Sequence, residues 1–514
     1  MTKKKFFTQG ILITFISLIL RITNIGYRSY LSQEIGAEGM GLYQLIFSIF
    51  MLSVTLSTSG ISLAVTRMVT QAIAANKRNT IRSLVTKCFF FCLLCSLFIS
   101  MLLLVFSTAA AKHLLGNEAA APCLRILALG LPFMSVCTCM KGYFLAVDES
   151  VSTSVSDMLE NMLSIAATAF FFIHYIPQGI ESACFAAMLA SSLGEMTSCT
   201  YSYISYRRSL RRNTPKERKK SHGVLHGLTH IALPCTLSSA ARSVLSTIEN
   251  LLIPKQLQVY GQSYSASMAQ YGLLQAMTMP MLYFPSSLLT SFASLLIPRV
   301  SKERELGHKK SVAYITGTAI SAALTYGIFF AAIFMIFGDS WGFAFYKSPQ
   351  AGNYLKIFAP IVPLIYLDIV VDSLLKGMDE QLNSMKFNLT DAFFRVVLVL
   401  CLMQFFGMES YIGILFFSTI FNAALSLGRL LKVTKVKISP VKQIALPMLL
   451  AVLSVMLSKN LISLFSVTQP FILVLLQIGT SALIFLLLHK LVSFIFRDEE
   501  TQELEQTRIP PAKL

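Results

Sequence analysis

Apolar runs of about 20 residues recur along nearly the whole of this chain, and that one feature removes most folds from consideration. About 20 such residues are what a helix needs to cross the hydrocarbon core of a bilayer. About 14 runs can be counted, at approximately 8–32, 41–66, 84–108, 122–146, 154–176, 180–205, 229–254, 269–297, 312–338, 354–377, 387–407, 410–431, 442–464 and 470–496. Strands of a membrane barrel would be near 10 residues long and alternating, and these runs are neither. Of 514 residues, 54% are hydrophobic and only 13% charged, with a mean hydropathy of +0.65. A soluble protein cannot build its polar surface from that supply. The expected fold is an all-α polytopic membrane protein.

The net charge of +18 would suit a nucleic-acid partner, but its distribution argues otherwise. Basic residues crowd into alternate loops: Lys3 to Lys5, Lys77 to Arg82, Arg207 to Lys220, Lys302 to Lys310 and Lys432 to Lys442. About 33 of the 43 Lys and Arg fall on the side that holds both termini, which the positive-inside rule makes cytoplasmic. The expected location is therefore a plasma membrane, with anionic lipid headgroups as secondary partners and no nucleic acid. The N-terminal run carries Arg21 and no small-residue cleavage site, so it reads as a retained first span rather than a signal peptide. The ten cysteines lie mostly inside spans, without zinc spacing. Cys88, Cys92 and Cys95 share a helix segment and read as apolar packing rather than a metal site.

An internal echo organises the chain. Leu124-Arg125-Ile126, Pro132 and Asp148-Glu149 return as Leu355-Lys356-Ile357, Pro363 and Asp379-Glu380, each 231 residues later. Spans 1 to 6 (residues 1–206) form one lobe and spans 7 to 12 (229–432) the other, joined by a basic linker at 207–228. An even number of spans per lobe makes this a parallel repeat about the membrane normal. Residues 433–497 add two further helices, and 498–514 is expected to be a disordered cytoplasmic tail.

Charges inside the spans are the candidate site, because each costs about 2.5 to 3.5 kcal/mol at the bilayer centre unless it finds water or a partner. Arg21, Asn24 and Arg28 sit at i, i+3 and i+7 on one stripe of span 1, and Arg242, Ser246 and Glu249 repeat that geometry in span 7. Guanidinium forks match phosphate oxygens and stay charged. Arg21, Arg28 and Arg242 are thus candidates to converge on an anion; the alternative is that Arg28 snorkels outward while Arg242 pairs with Glu249. Glu160 of span 5, Asp391 and Arg395 of span 11, Glu195 of span 6, and Asp368 and Asp372 of span 10 are candidates for a cavity or for ion coupling. Asp391 and Arg395 are one turn apart and are expected to pair. Gly26 and Pro280, Pro285 and Pro298 mark bends in spans 1 and 8 that would suit a gate.

Gly36-Ala37-Glu38-Gly39-Met40-Gly41-Leu42-Tyr43 resembles the G-x-E-G-x-G-L-Y signature of the stage V sporulation protein B family of polysaccharide exporters. Gly60-Ile61-Ser62-Leu63-Ala64 leading to Arg67, Lys141-Gly142-Tyr143-Phe144, Gly179-Ile180-Glu181 through Gly194-Glu195, and Leu296-Ile297-Pro298-Arg299-Val300-Ser301 are similar to further parts of it. The resemblance implies the multidrug, oligosaccharidyl-lipid and polysaccharide exporter superfamily, with two six-helix lobes around a central cavity and alternating access. It implies a substrate linked to undecaprenyl pyrophosphate, foremost the peptidoglycan precursor lipid II, moved from inner to outer leaflet during cell wall or spore cortex synthesis. By position it gives Arg21 and Arg28 the pyrophosphate, although their spacing is seven where MurJ-type helices have six.

The expected protein is a transporter and not an enzyme, with no catalytic residue, metal or cofactor. No Walker phosphate loop is present for ATP hydrolysis, so a proton or sodium gradient, the membrane potential or consumption of product outside would drive it. Two other readings stand beside this one. A cation-coupled multidrug exporter needs an acidic cavity, and span 1 has no acid in its apolar core. A non-transporting scaffold for wall-synthesis enzymes would use the basic loop Arg207 to Lys220 instead of the span arginines.

Overall fold

The computed structural model describes residues 3–213, 224–436, 439–464 and 469–506. Every extended element among them is helical. In chain order they are α1 (Lys3–Thr58), α2 (Ile61–Ala74), α3 (Ile81–Ala110), α4 (Ala121–Ala146), α5 (Ser150–Tyr175), α6 (Ile180–Asn213), α7 (Val224–Val259), α8 (Tyr264–Tyr271), α9 (Met279–Tyr283), α10 (Ser286–Glu305), α11 (Lys309–Tyr346), α12 (Pro349–Phe358), α13 (Val362–Gly377), α14 (Gln381–Thr434), α15 (Leu446–Ser463) and α16 (Pro470–Gln506).

Ten helices among the described residues are long and apolar enough to cross a membrane, or eleven if the bent pair Tyr264–Tyr283 and Ser286–Glu305 is one span. The expected count of fourteen is not reproduced, and the reason is continuity. Spans 11 and 12 run together in α14, which has 54 residues, and span 1 continues into span 2 in α1, which has 56. At about 1.5 Å per residue each is roughly 80 Å long, more than twice a hydrocarbon core of about 30 Å. Each is broken once, at Gly36 (φ 67°) and Gly407 (φ 58°), a left-handed conformation that glycine takes without penalty. The residues of span 6 form α6, which is long enough but is interrupted by Glu181 and Glu195 and is not among the ten.

Two expectations about the polar segments change. Arg207, Arg208, Arg211 and Arg212 continue α6 to Asn213 instead of opening a linker, and residues 214–223, with Pro215 and the remaining cations, lie outside the described residues. Helix α16 likewise runs on to Gln506, past Asp498 where the tail was expected to begin; 507–514 lie outside the described residues.

The chain packs as two compact units, Met1–Met277 with Asn388–Leu415, and Thr278–Phe387 with Phe416–Leu514. In the first, α4 lies against α2, α3 and α6, and α5 against α6. Its core contains Val65, Val69, Cys88, Cys92, Val136, Met140, Tyr143 and Phe144, so two of the three clustered cysteines are apolar packing there. In the second, α11 carries the core, against α12, α13, α15 and α16, with Phe334 stacked edge-on to the fully buried Trp341.

The echo is structural as well as sequential. Leu124 and Leu355 are both fully buried. Arg125 donates to Ser107 Oγ at 3.1 Å and Thr108 Oγ1 at 2.8 Å at the end of α3, while Lys356 pairs with Asp339 near the end of α11. Glu149 accepts from Arg212 of α6 at 2.5 Å, and Glu380 accepts twice from Arg429 of α14, at 2.8 and 3.1 Å.

Candidate functional site

The signature segment lies at the break in α1. Gly36 turns α1, and five residues later Gly41 meets α8 backbone to backbone. A Cβ on Gly41 would lie 2.2 Å from the Met268 carbonyl oxygen, and one on Gly272 would lie 2.1 Å from that of Ala37. Only hydrogen fits at either position. Ser265 donates to Glu38 beside this seam, and Leu42 and Tyr43 are buried under it.

Next to the seam, residues Gly272–Thr278 wind as a π-helix. Such turns leave carbonyls without their usual partner and are frequent at functional sites. Arg28 uses one, donating from Nη1 to the Ala276 oxygen at 3.4 Å. Its neighbour Tyr27 is tied to Thr168 of α5 at 3.0 Å. Span 1 therefore meets neighbouring segments at Tyr27 and at Arg28, the last residue of its stripe.

Arg21 is half-buried on the same helix, Asn24 is exposed, and on α7 both Arg242 and Ser246 are exposed. Helices α1 and α7 pack together, with Thr247 donating to the Ser48 oxygen and Asn250 to Ser48 Oγ, both at 3.3 Å. Among the described residues neither Arg21 nor Arg242 forms a hydrogen bond or an ion pair. Two membrane cations are thus left uncompensated on adjoining helices.

Glu249 does not pair with Arg242. It is buried, and Arg395 of α14 reaches its Oε2 at 3.4 Å while Tyr411 donates to its Oε1 at 3.2 Å. Arg395 also meets Asp391 one turn earlier at 3.6 Å, so the expected pair exists as two arms of a triad. Gln275 of the π-helix donates to Tyr411 at 2.8 Å. Tyr411 and Gln275 carry no charge and lie far apart in sequence, so nothing in the residue pattern marked them.

A second polar cluster joins α4, α5 and α6. Lys141 Nζ lies 2.6 Å from Asp157 Oδ1, and the carboxyls of Glu160 and Glu195 are adjacent to one another and to that pair. Behind them Ser156 contacts Ser198 and Ser202, each at 2.8 Å, all fully buried. Lys141, which the sequence reading did not count among the candidates, is the cation of this group.

In the second unit, Asn422 donates to Asp368 at 2.9 Å, and Asp372 holds Lys376 at 2.5 Å and accepts from Ser384. Of the candidate acids, Glu249 and Asp391 thus share one cluster of the first unit, Glu160 and Glu195 another, and Asp368 and Asp372 belong to the second unit.

Known proteins bear on this arrangement. The chain is 24% identical to stage V sporulation protein B of Bacillus subtilis (strain 168) over 406 residues, 78% of each chain. Its fold is similar to that of the lipid II flippase MurJ in an inward closed conformation, with a TM-score of 0.68 at 13% identity over 95% of this chain and 99% of that one. It is also similar to an inward-facing MATE family multidrug resistance transporter of the MOP superfamily, with a TM-score of 0.62 at 15% identity over 83% of this chain and 99% of that one. Residues 7–303 match the polysaccharide biosynthesis protein family, and the chain, a multi-pass membrane protein with the MOP transporter fold, belongs to that family.

Proposed function

We propose that this protein is a transporter that carries an undecaprenyl-pyrophosphate-linked oligosaccharide, lipid II foremost, from the inner to the outer leaflet by alternating access. One observation carries this reading: among the described residues Arg21 and Arg242 have no hydrogen-bond or ion-pair partner, while the acid nearest Arg242 in the stripe is already taken by Arg395. An unpaired guanidinium at that depth is costly, and a pyrophosphate supplies several oxygens to offset it. Arg28 makes a long hydrogen bond to the Ala276 carbonyl, a bond it can exchange for one to a phosphate oxygen.

In this reading residues 1–206 and 229–432 are the two moving lobes, both termini are cytoplasmic, and the membrane is the plasma membrane. The Lys141, Asp157, Glu160 and Glu195 cluster is the place to look for coupling to a proton or sodium gradient, since it gathers three carboxyls beside one lysine. No bond is broken in the step, so no catalytic residue is assigned.

The experiment depletes a bacterial host of its own flippases, expresses this chain, and measures the leaflet that holds lipid II. The expected result is outward lipid II with the wild type and retention inside with R21Q/R242Q. Inward retention despite verified expression of the wild type removes lipid II as the substrate. Outward lipid II with R21Q/R242Q removes the arginines from the site.

A further inference from the structure

Helix α7 places an acid on the same stripe as a cation it must not neutralise. Arg242 and Glu249 are seven residues apart, about 10 Å along the helix axis, and an unshielded carboxylate there would oppose any anion that Arg242 attracts. Coulomb's law at an effective dielectric near 20 makes that opposition worth about tenfold in affinity.

Both oxygens of the acid are engaged. Arg395 approaches one carboxylate oxygen and Tyr411 the other, at 3.4 and 3.2 Å. Asp391 steadies Arg395 from the preceding turn of α14, and Gln275 steadies Tyr411 from the π-helix. Gln275 directly precedes Ala276, the anchor of Arg28. The shield and the arginine stripe therefore share one short segment of backbone.

Resting on the pyrophosphate reading above, we infer that Arg395 is the specificity-determining positioning residue of the pathway: by engaging Glu249 and Asp391 it offsets one of their two charges, so that the acid of α7 opposes an anion at Arg242 less and the arginine stripe can select one. Arg395 itself does not touch the substrate in this arrangement. Its removal leaves two buried carboxylates without that cation and makes the charge of the cluster more negative by one unit.

The test uses the full-length protein in nanodiscs with inorganic pyrophosphate as the probe, read by calorimetry or thermal shift. R395M is expected to weaken pyrophosphate about tenfold, R395K to stay within about threefold of the wild type, and E249Q/D391N/R395M, uncharged at all three positions, to bind at least as tightly as the wild type. The number of binding sites per protein from calorimetry separates this from a merely structural role, which would lower the bindable fraction of R395M and leave the affinity of the folded remainder unchanged, whereas the field effect weakens the affinity itself. Wild-type affinity in R395M, or a triple variant as weak as R395M, overturns the inference while leaving the arginine site intact. A wild type that does not bind pyrophosphate, or whose binding R21Q/R242Q does not weaken, overturns the site and the inference together.

Discussion

Asp148 and Asp379, 231 positions apart, hold the same left-handed backbone conformation, at φ 58° and 62°. Each ends the fourth helix of its repeat, and each is followed by a glutamate that is bound by an arginine from a later helix. A left-handed residue with a side chain is uncommon, and aspartate is among the few that tolerate it. Replacing either with glycine should be neutral or slightly stabilising, whereas D148V or D379V should cost about 1 to 2 kcal/mol. Thermal denaturation of the four variants in one detergent distinguishes these outcomes.

The Gly41 to Gly272 seam is expected to be intolerant of a single methyl group. G41A or G272A pushes a Cβ into backbone that cannot swing away, and should destabilise the protein by about 1 to 3 kcal/mol. G413A, on α14 where nothing lies within 4 Å, is the control and should be neutral or slightly stabilising. Equal melting temperatures for G41A and G413A would show that the seam can open at no cost.

Glu380 supplies a pH dependence of definite sign. Hydrogen bonds from Arg429 and Asn383 hold its carboxyl below the usual carboxylate range. The resulting stabilisation is fully present above the unfolded value of about 4.3 and is lost as pH falls through the lower folded value. Melting temperature should therefore be insensitive to E380Q-specific loss between pH 7 and about 5, in the sense that the gap between wild type and E380Q is constant there, and the gap should close below about pH 4. A gap that widens in acid contradicts this assignment.

Lys141 is expected to matter for the company it keeps. K141M leaves Asp157 beside Glu160 and Glu195 with no cation, at a cost of about 1 to 3 kcal/mol; the partial exposure of the pair, 28% and 38%, keeps it from the larger cost of a fully buried one. K141M/D157N should recover most of that loss in a chemical denaturation series.

Arg21 and Arg242 separate stability from transport. Neither has a partner to lose among the described residues, so R21Q and R242Q should each leave stability within about 0.5 kcal/mol of the wild type. Lipid II export should fall in the same variants. Loss of both properties together would mean that these side chains are structural.

Much of this was legible beforehand, for local reasons. Membrane helices announce themselves because the bilayer sets both their length and their polarity, and the echo of Leu124, Arg125, Pro132 and Asp148-Glu149 needed only a common offset. The arginine stripes followed from a helical period. The count of separate helices was not legible: a hydropathy pattern does not say whether Gly36 or Gly407 ends one helix or merely bends it. Nor was the tail, where α16 continues through acidic residues that hydropathy places outside the membrane.

The sequence by itself determined that the chain is a repeated, all-helical membrane protein with a handful of charges in the wrong solvent, since hydropathy and periodicity are properties of neighbouring residues. Which of those charges meet was decided only by tertiary structure. Glu249 lies seven residues from Arg242 and 146 from Arg395, yet it pairs with the distant one. Helix packing brings α14 to the side of Glu249, so the acid is paired there, while among the described residues Arg21 and Arg242 form no hydrogen bond or ion pair.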